Sequence, residues 1–116
     1  MIVIPTEHFK RDIKYYVRKK RYTRVMDDIQ PVIEAIQNDE LPGTPIEGVD
    51  SKNKTYKVRA VNSSTNVGES NGFRIIYYAV MADGKAYLLT IYSKKDDRMI
   101  PSKKEIRDIL KILDSV

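Results

Sequence analysis

Hydrophobic and polar residues follow two different periods along the chain. In residues 6–21, 24–38 and 102–116, apolar residues recur every three or four positions, a spacing that places them on one face of a helix. Residues 56–61 alternate with a period of two, and residues 73–93 are rich in β-branched and aromatic side chains, as strands are. The pattern predicts helices toward both ends of the chain and a sheet between them.

The N-terminal part is predicted to contain a strand and a helix with a basic surface. Met1–Ile4 is a short apolar run closed by Pro5, which indicates an edge or terminal strand. The first helix begins at Thr6. Its core face is formed by Phe9, Ile13, Tyr16 and Val17, and the rest of its surface carries Lys10, Arg11, Lys14, Arg18, Lys19, Lys20 and Arg21.

The second predicted helix spans about Arg24 to Asn38, with Thr23 as a plausible N-cap. Pro31 lies within it, and a proline there must kink the helix, split it in two, or move its start toward residue 30. Because the link around Tyr22 is short, the two helices are expected to pair as an antiparallel hairpin.

Three strands are predicted after a turn cluster at Asp39–Pro45. In Tyr56–Val61 alternate residues form an apolar face, and the opposite face carries two cations. A polar loop, Asn62–Asn71, is expected to be mobile and leads to the clearest hairpin. In that hairpin Phe73–Ala82 and Lys85–Ser93 flank an Asp-Gly pair that suits a tight primed turn, and we expect the pair at the centre of the sheet.

The last helix, Ser102–Val116, begins with a capping box formed by Ser102 and Glu105 behind Pro101. The resulting order, β-α-α-β-β-β-α, predicts an α+β fold. We expect the N-terminal helical hairpin and the C-terminal helix to pack on one face of a small antiparallel sheet, leaving the other face partly open. With 116 residues, no repeats and no break in composition, the chain is expected to form one domain, 1–116.

The amino-acid composition limits the location and the kinds of site that the protein can have. No stretch approaches the roughly 20 apolar residues of a spanning helix, and the N-terminus is too short and too soon charged for a signal peptide, so we expect a cytoplasmic protein without a membrane partner. The absence of cysteine excludes disulfides and thiolate chemistry. The single histidine, His8, is expected to be exposed or to cap the first helix, and we expect no metal and no cofactor.

The charge balance points to an anionic partner. A formal net charge of +5 and a pI near 9.4 indicate nucleic acid or an acidic protein, the alternative being a protein that is merely basic. The basic residues Arg18, Lys19 and Lys20 are either a docking surface for RNA or the ribosome, or a solvated helix face.

A cluster of cations is predicted on the sheet. Lys57 and Arg59 emerge on the same face of their strand, about 7 Å apart, and the strand register can bring Arg74 beside them. The end of the next strand, from Tyr92 to Lys95, is expected at the same rim. Because like charges repel, such a cluster indicates an anion-binding site; the alternative is that these are solvated residues of a half-exposed sheet.

RNA phosphate is the obvious anion. The ribose 2′-hydroxyl can attack the adjacent phosphorus, so an enzyme needs mainly to align it and to stabilise negative charge, for which the planar fork of Arg is suited. A lysine whose pKa is lowered by neighbouring cations is a candidate general base. Tyr92 is a candidate to orient the nucleotide or to stack on a base.

Three segments resemble a known family. YKVRAV, NGFRIIYYAVMADGKAYLLTIYSKKDD and SKKEIRDIL look like the RelE/ParE superfamily of toxins from toxin-antitoxin systems, most of all its HigB-like members. The resemblance covers Tyr56–Leu110, and the N-terminal helices by layout only. It implies a compact microbial-RNase-like fold, ribosome-dependent cleavage of messenger RNA without a metal, inhibition of translation, and a cognate antitoxin protein as partner.

Carried over by position, the resemblance implies that Lys57, Arg59 and Arg74 bind the phosphate and stabilise the transition state, with Lys94 and Lys95 completing the cluster. Some relatives have a tyrosine in the C-terminal segment that helps to activate the 2′-hydroxyl. The segment SKKEI, which begins at Ser102, has none, and Tyr92 is the nearest phenol in sequence. The identity of the general base therefore stays open.

Two rival functions remain from the sequence. A ParE-like protein of the same fold would inhibit DNA gyrase without cutting nucleic acid. A non-catalytic RNA-binding module would bind with strong salt dependence and leave RNA whole. Lys57, Arg59 and Arg74 are more cations than a protein-binding surface needs, which favours the nuclease. An antitoxin would then mask or distort this basic face, most simply with an acidic helix or strand.

Overall fold

The computed structural model describes residues 1–65, 71–96 and 99–114, and in these ranges it has three α-helices and a five-stranded sheet. No helix in these ranges is long and apolar enough to cross a membrane. The helices are α1 (Glu7–Arg18), α2 (Val25–Gln37) and α3 (Lys103–Asp114). The strands are β1 (Ile2–Pro5), β2 (Thr44–Pro45), β3 (Lys54–Ala60), β4 (Phe73–Val80) and β5 (Lys85–Ser93).

The sheet is mixed, in the order β1-β5-β4-β3-β2. β1 runs parallel to β5 at one edge, and the other neighbouring strands are antiparallel. The prediction of an edge strand at the N-terminus is confirmed, but the prediction of a purely antiparallel sheet is wrong. A four-residue apolar run does not reveal which strand it joins or in which direction. The two-residue strand β2 was not predicted from the turn cluster that contains it.

The helices cover both faces of the sheet, which corrects the prediction that all of them pack on one face. α1 and α2 pack on one face, against a cluster that includes Ile75 and Tyr77, whereas α3 packs on the opposite face against Ile76 and Leu89. Each residue of β4 up to Tyr77 is buried. Its near-continuous apolar run is typical of a strand covered on both faces, and this signal was in the sequence.

α1 is attached along β5 beyond the point where β1 stops pairing. β1 covers β5 only as far as Leu88, so the backbone N–H groups of Ile91 and Ser93 on that edge need other acceptors. The carboxylate of Asp12 accepts from Ile91 N at 3.2 Å and from Thr90 Oγ1 at 2.6 Å, and Tyr16 Oη accepts from Ser93 N at 2.8 Å. Side chains of α1 thus supply the acceptors that a longer β1 would otherwise provide.

Two of the three helices begin with the capping residue that the sequence predicts. Thr6 caps α1 by accepting from Phe9 N at 3.2 Å, and Ser102 Oγ accepts from Glu105 N at 3.1 Å in the predicted capping box. The prediction for α2 is wrong, because its N-cap is Arg24, which makes no side-chain capping bond, rather than Thr23. Pro31 lies inside α2 without splitting it; Ile29, Val32 and Ile36 are buried around this turn and hold the helix in place.

The β4–β5 connection is longer than predicted. Instead of a two-residue primed turn, Met81–Asp83 form a 3₁₀ turn and Gly84 follows with a φ of 63°, a left-handed conformation that favours glycine. Val80 and Lys85 are the last residues that pair across the two strands, so residues 81–84 form the connection. Of the predicted loop Asn62–Asn71, residues 66–70 lie outside the described part of the chain.

Candidate active site

Strand register places three polar side chains in one row across the sheet. Arg59 on β3 lies opposite Arg74 on β4, and Arg74 lies opposite Tyr92 on β5. Directly opposed residues have their Cβ atoms about 5 Å apart. The sequence pattern predicted that Arg74 lies beside the Lys57 and Arg59 pair, and the register agrees.

This row forms the floor of a surface pocket of about 410 Å³. Arg74 and Tyr92 are each only 5% exposed, whereas Lys57, Arg59 and Lys94 are exposed. The pocket brings together five of the residues predicted from the sequence and two that were not. Its described lining consists of Thr44, Lys57, Arg59, Arg74, Tyr92, Lys94 and Ile100.

Arg74 is a buried cation next to a second cation. Its Nη1 donates to the Phe73 carbonyl at 3.3 Å. Burial lowers the pKa of Arg74 from its usual value, and the neighbouring Arg59 lowers it further. A guanidinium nevertheless stays charged at any physiological pH. Two neighbouring guanidinium groups are suited to bind an anion, because each offers parallel donors to its oxygens.

Tyr92 brings a phenol to the pocket. Burial raises the pKa of its phenol, and the adjacent Arg74 only partly opposes this, so the hydroxyl keeps its proton near neutral pH. Its ring belongs to the apolar cluster beneath α3, together with Ile76 and Ile106. Little of the ring surface is left on which a base could stack, so the orienting role suggested by the sequence fits Tyr92 better than the stacking role.

Close backbone approaches fix both sides of the pocket. Gly43 has a φ of 97°, and a Cβ at this position would overlap the carbonyl oxygen of Lys57. This contact lets β2 pair with β3 and sets Thr44 directly opposite Lys57. On the other side, Lys94 N donates to the Gly72 carbonyl at 3.0 Å, which holds Lys94 beside the start of β4.

The remaining predicted RNA-binding residues do not line the pocket. Lys95 is exposed beyond Lys94, and Arg18, Lys19 and Lys20 are exposed at the C-terminal end of α1. That end of α1 lies against the end of β5 and the residues after it, because Tyr16 Oη accepts from Ser93 N at 2.8 Å and Tyr15 Oη donates to Asp96 Oδ2 at 3.3 Å. The basic turn therefore lies at the same end of the sheet as the pocket, on the opposite face.

Thr44 and Ile100 were missed by the sequence argument. Thr44 lies in a turn-rich segment whose pairing with β3 depends on the single close approach at Gly43. Ile100 precedes the capping box of α3, and an aliphatic residue there usually packs against its own helix. The sequence contains no signal that places Ile100 in the pocket, because it does not reveal how α3 packs on the sheet.

The described lining contains guanidinium, ammonium, hydroxyl and aliphatic groups, and no carboxylate, imidazole or thiolate. Those missing groups are the ligands through which proteins usually hold Mg²⁺ or Zn²⁺. The lining is suited to an anion instead. No family model and no curated protein matches the chain.

Proposed function

We propose that the protein is a metal-independent endoribonuclease that cleaves messenger RNA on the ribosome and so inhibits translation. The observation that carries this proposal is the row Arg59, Arg74 and Tyr92, with Lys57 and Lys94 at its two sides. Phosphoryl transfer to a neighbouring hydroxyl requires alignment and charge stabilisation, and this row offers donors for both. It requires no nucleophile from the protein.

The proposed reaction begins with attack of the ribose 2′-oxygen on the adjacent phosphorus. The bond from phosphorus to the 5′-oxygen breaks, and the products are a 2′,3′-cyclic phosphate and a free 5′-hydroxyl. Arg59 and Arg74 bind the non-bridging oxygens, on which negative charge grows in the transition state. Tyr92 donates a hydrogen bond that orients the phosphate.

Two protons must move in this reaction, one from the 2′-hydroxyl and one to the leaving 5′-oxygen. Lys57 and Lys94 are the two amines of the described lining; Lys57 lies on β3 on one side of the row, and Lys94 directly follows β5 on the other side. We assign the two proton transfers to this pair, without deciding which amine is the base.

We further propose that the protein is the toxin of a toxin-antitoxin pair. The resemblance of the segments that contain β3, β4 and β5 to RelE/ParE toxins supports this, because these strands carry Lys57, Arg59, Arg74 and Tyr92 of the pocket. A cognate antitoxin is expected to present acidic residues to the cationic row. The exposed residues Arg18, Lys19 and Lys20 are proposed to contact RNA or the ribosome outside the pocket.

The test is a translating extract with a labelled messenger, in which cut sites are mapped by primer extension. We expect cuts that appear only while ribosomes translate, that resist a metal chelator, and that end in a cyclic phosphate. Replacing the 2′-hydroxyl by hydrogen at a mapped site should prevent cleavage there. Intact messenger together with inhibited gyrase supercoiling would overturn the proposal in favour of a ParE-like inhibitor. Salt-sensitive binding to RNA that stays whole would favour a binding module.

A further inference from the structure

The cationic pocket contains one exposed aliphatic side chain. Ile100 is 45% exposed and lines the same pocket as Arg59, Arg74 and Tyr92. A bare phosphate is bound by charge and hydrogen bonds alone and gains nothing from an isoleucine. An apolar group at the side of an anion site instead fits a ligand in which the phosphate is joined to an apolar or planar group.

Ile100 is held on the pocket by its neighbours in the chain. Met99 N donates to the Asp96 carbonyl at 3.0 Å, and Met99 packs against the cluster beneath α3. Two residues after Ile100, Ser102 forms the capping box that fixes the start of α3. The side chain is thus positioned by anchors on both sides, while its own surface stays available to a ligand.

No other described residue of the lining offers an apolar surface to a base. The aromatic ring of Tyr92 is buried beneath α3, and Thr44 on the far side is a small polar residue. We propose that Ile100 is a specificity-determining residue that contacts the nucleobase adjoining the bound phosphate. This inference rests on the proposed function, since it names the part of the RNA that the pocket recognises beside the phosphate.

The test compares two ligands, inorganic phosphate and adenosine 3′-monophosphate, by nuclear magnetic resonance titration of the intact protein. The wild type should bind the nucleotide more tightly than phosphate. Ile100→Ala should reduce that preference by about tenfold, because apolar area is no longer buried on binding. Its affinity for inorganic phosphate should not change. Ile100→Phe, which keeps an apolar surface, should retain or increase the preference.

The matched control is Ile2→Ala, since Ile2 is an exposed isoleucine on β1, at the far edge of the sheet. It should leave both affinities unchanged, and thermal unfolding should show that all three variants are folded. An unchanged preference in Ile100→Ala, or an equal loss for both ligands, would overturn the inference. Nucleotide preference that depends on Ile100, in a protein that cleaves no RNA, would overturn the nuclease proposal and leave this inference standing.

Discussion

His8 and Asp12 form a contact in which one group changes charge near neutral pH. His8 Nδ1 lies 3.2 Å from Asp12 Oδ2, an ion-pair distance without the alignment of a hydrogen bond. The Asp12 carboxylate raises the pKa of His8 above its ordinary value of 6.5, and partial burial opposes this. The contact is local to the first turns of α1, on the face opposite the cationic pocket.

This contact predicts a small pH dependence of stability. Because the folded-state pKa of His8 is raised, its stabilisation is fully present below pH 6.5 and is lost as the pH rises through the raised value. His8 is half-exposed, so we expect about 0.3–1 kcal/mol. Urea unfolding at about pH 5.5 should show this loss for His8→Gln relative to wild type, and at about pH 8.5 the two should agree. An equal difference at both pH values would contradict the assignment.

The cationic row shows how far single residues could be predicted from the sequence. The period-two alternation of β3 fixes Lys57 and Arg59 on one face, because neighbouring side chains of a strand point to opposite sides. The burial of Tyr92 and the position of Ile100 depend on how α3 packs on the sheet. No local pattern in the chain states which face of the sheet that helix covers.

At the scale of elements, α1 serves as a continuation of the sheet edge. The carboxylate of Asp12 satisfies Ile91 N and Thr90 Oγ1, both of which are buried. An aspartate in the middle of an amphipathic helix is usually predicted to face solvent. The sequence does not reveal its role, because the need for an acceptor arises only from the short length of β1.

Asp12→Ala is therefore expected to destabilise the protein. The substitution leaves a buried backbone N–H and a buried hydroxyl without their acceptor, which costs about 2–3 kcal/mol. The free energy of unfolding in urea measures this. Asp27→Ala removes an exposed carboxylate from the first turn of α2 and should cost less than about 1 kcal/mol. Equal losses for the two variants would show that Asp12 does not hold α1 on β5.

The basic turn after α1 provides a second prediction at this scale. If Arg18, Lys19 and Lys20 contact RNA phosphates, replacing all three by alanine should reduce the salt slope of single-stranded RNA binding by about 2, at about 0.7 per contact. The binding should be measured with 2′-O-methyl RNA, which the proposed reaction cannot cleave because it has no free 2′-hydroxyl. The matched control replaces Lys10, Lys104 and Lys111, three exposed lysines near carboxylates. A similar slope change in both triple variants would indicate a general charge effect.

At the scale of the whole molecule, the fold is a five-stranded sheet covered by helices on both faces, with the cationic row toward one end of the sheet. Except for the two-residue strand β2, the elements were predictable, because helical and strand periods differ and the starts of α1 and α3 carry capping residues. The parallel pairing of β1 and the side taken by α3 were not, since both depend on contacts between distant segments. These two features decide which part of the sheet stays open to a substrate.

The net charge of +5 acts at this scale too. A basic surface raises the encounter rate with RNA but gives no cleavage by itself. In the proposed reaction, cleavage requires the row on β3, β4 and β5, and we therefore expect that one buried cation of this row matters far more than an exposed cation elsewhere.

The measurement that tests this most directly is messenger cleavage in a translating extract by Arg74→Met and Arg11→Met. Both substitutions remove one positive charge and keep an unbranched stem, but Arg74 lies in the pocket and Arg11 is exposed on α1. We expect Arg74→Met to remain folded and to lose about 10²–10³-fold in cleavage rate, and Arg11→Met to cleave like the wild type. Full cleavage by folded Arg74→Met would contradict the account.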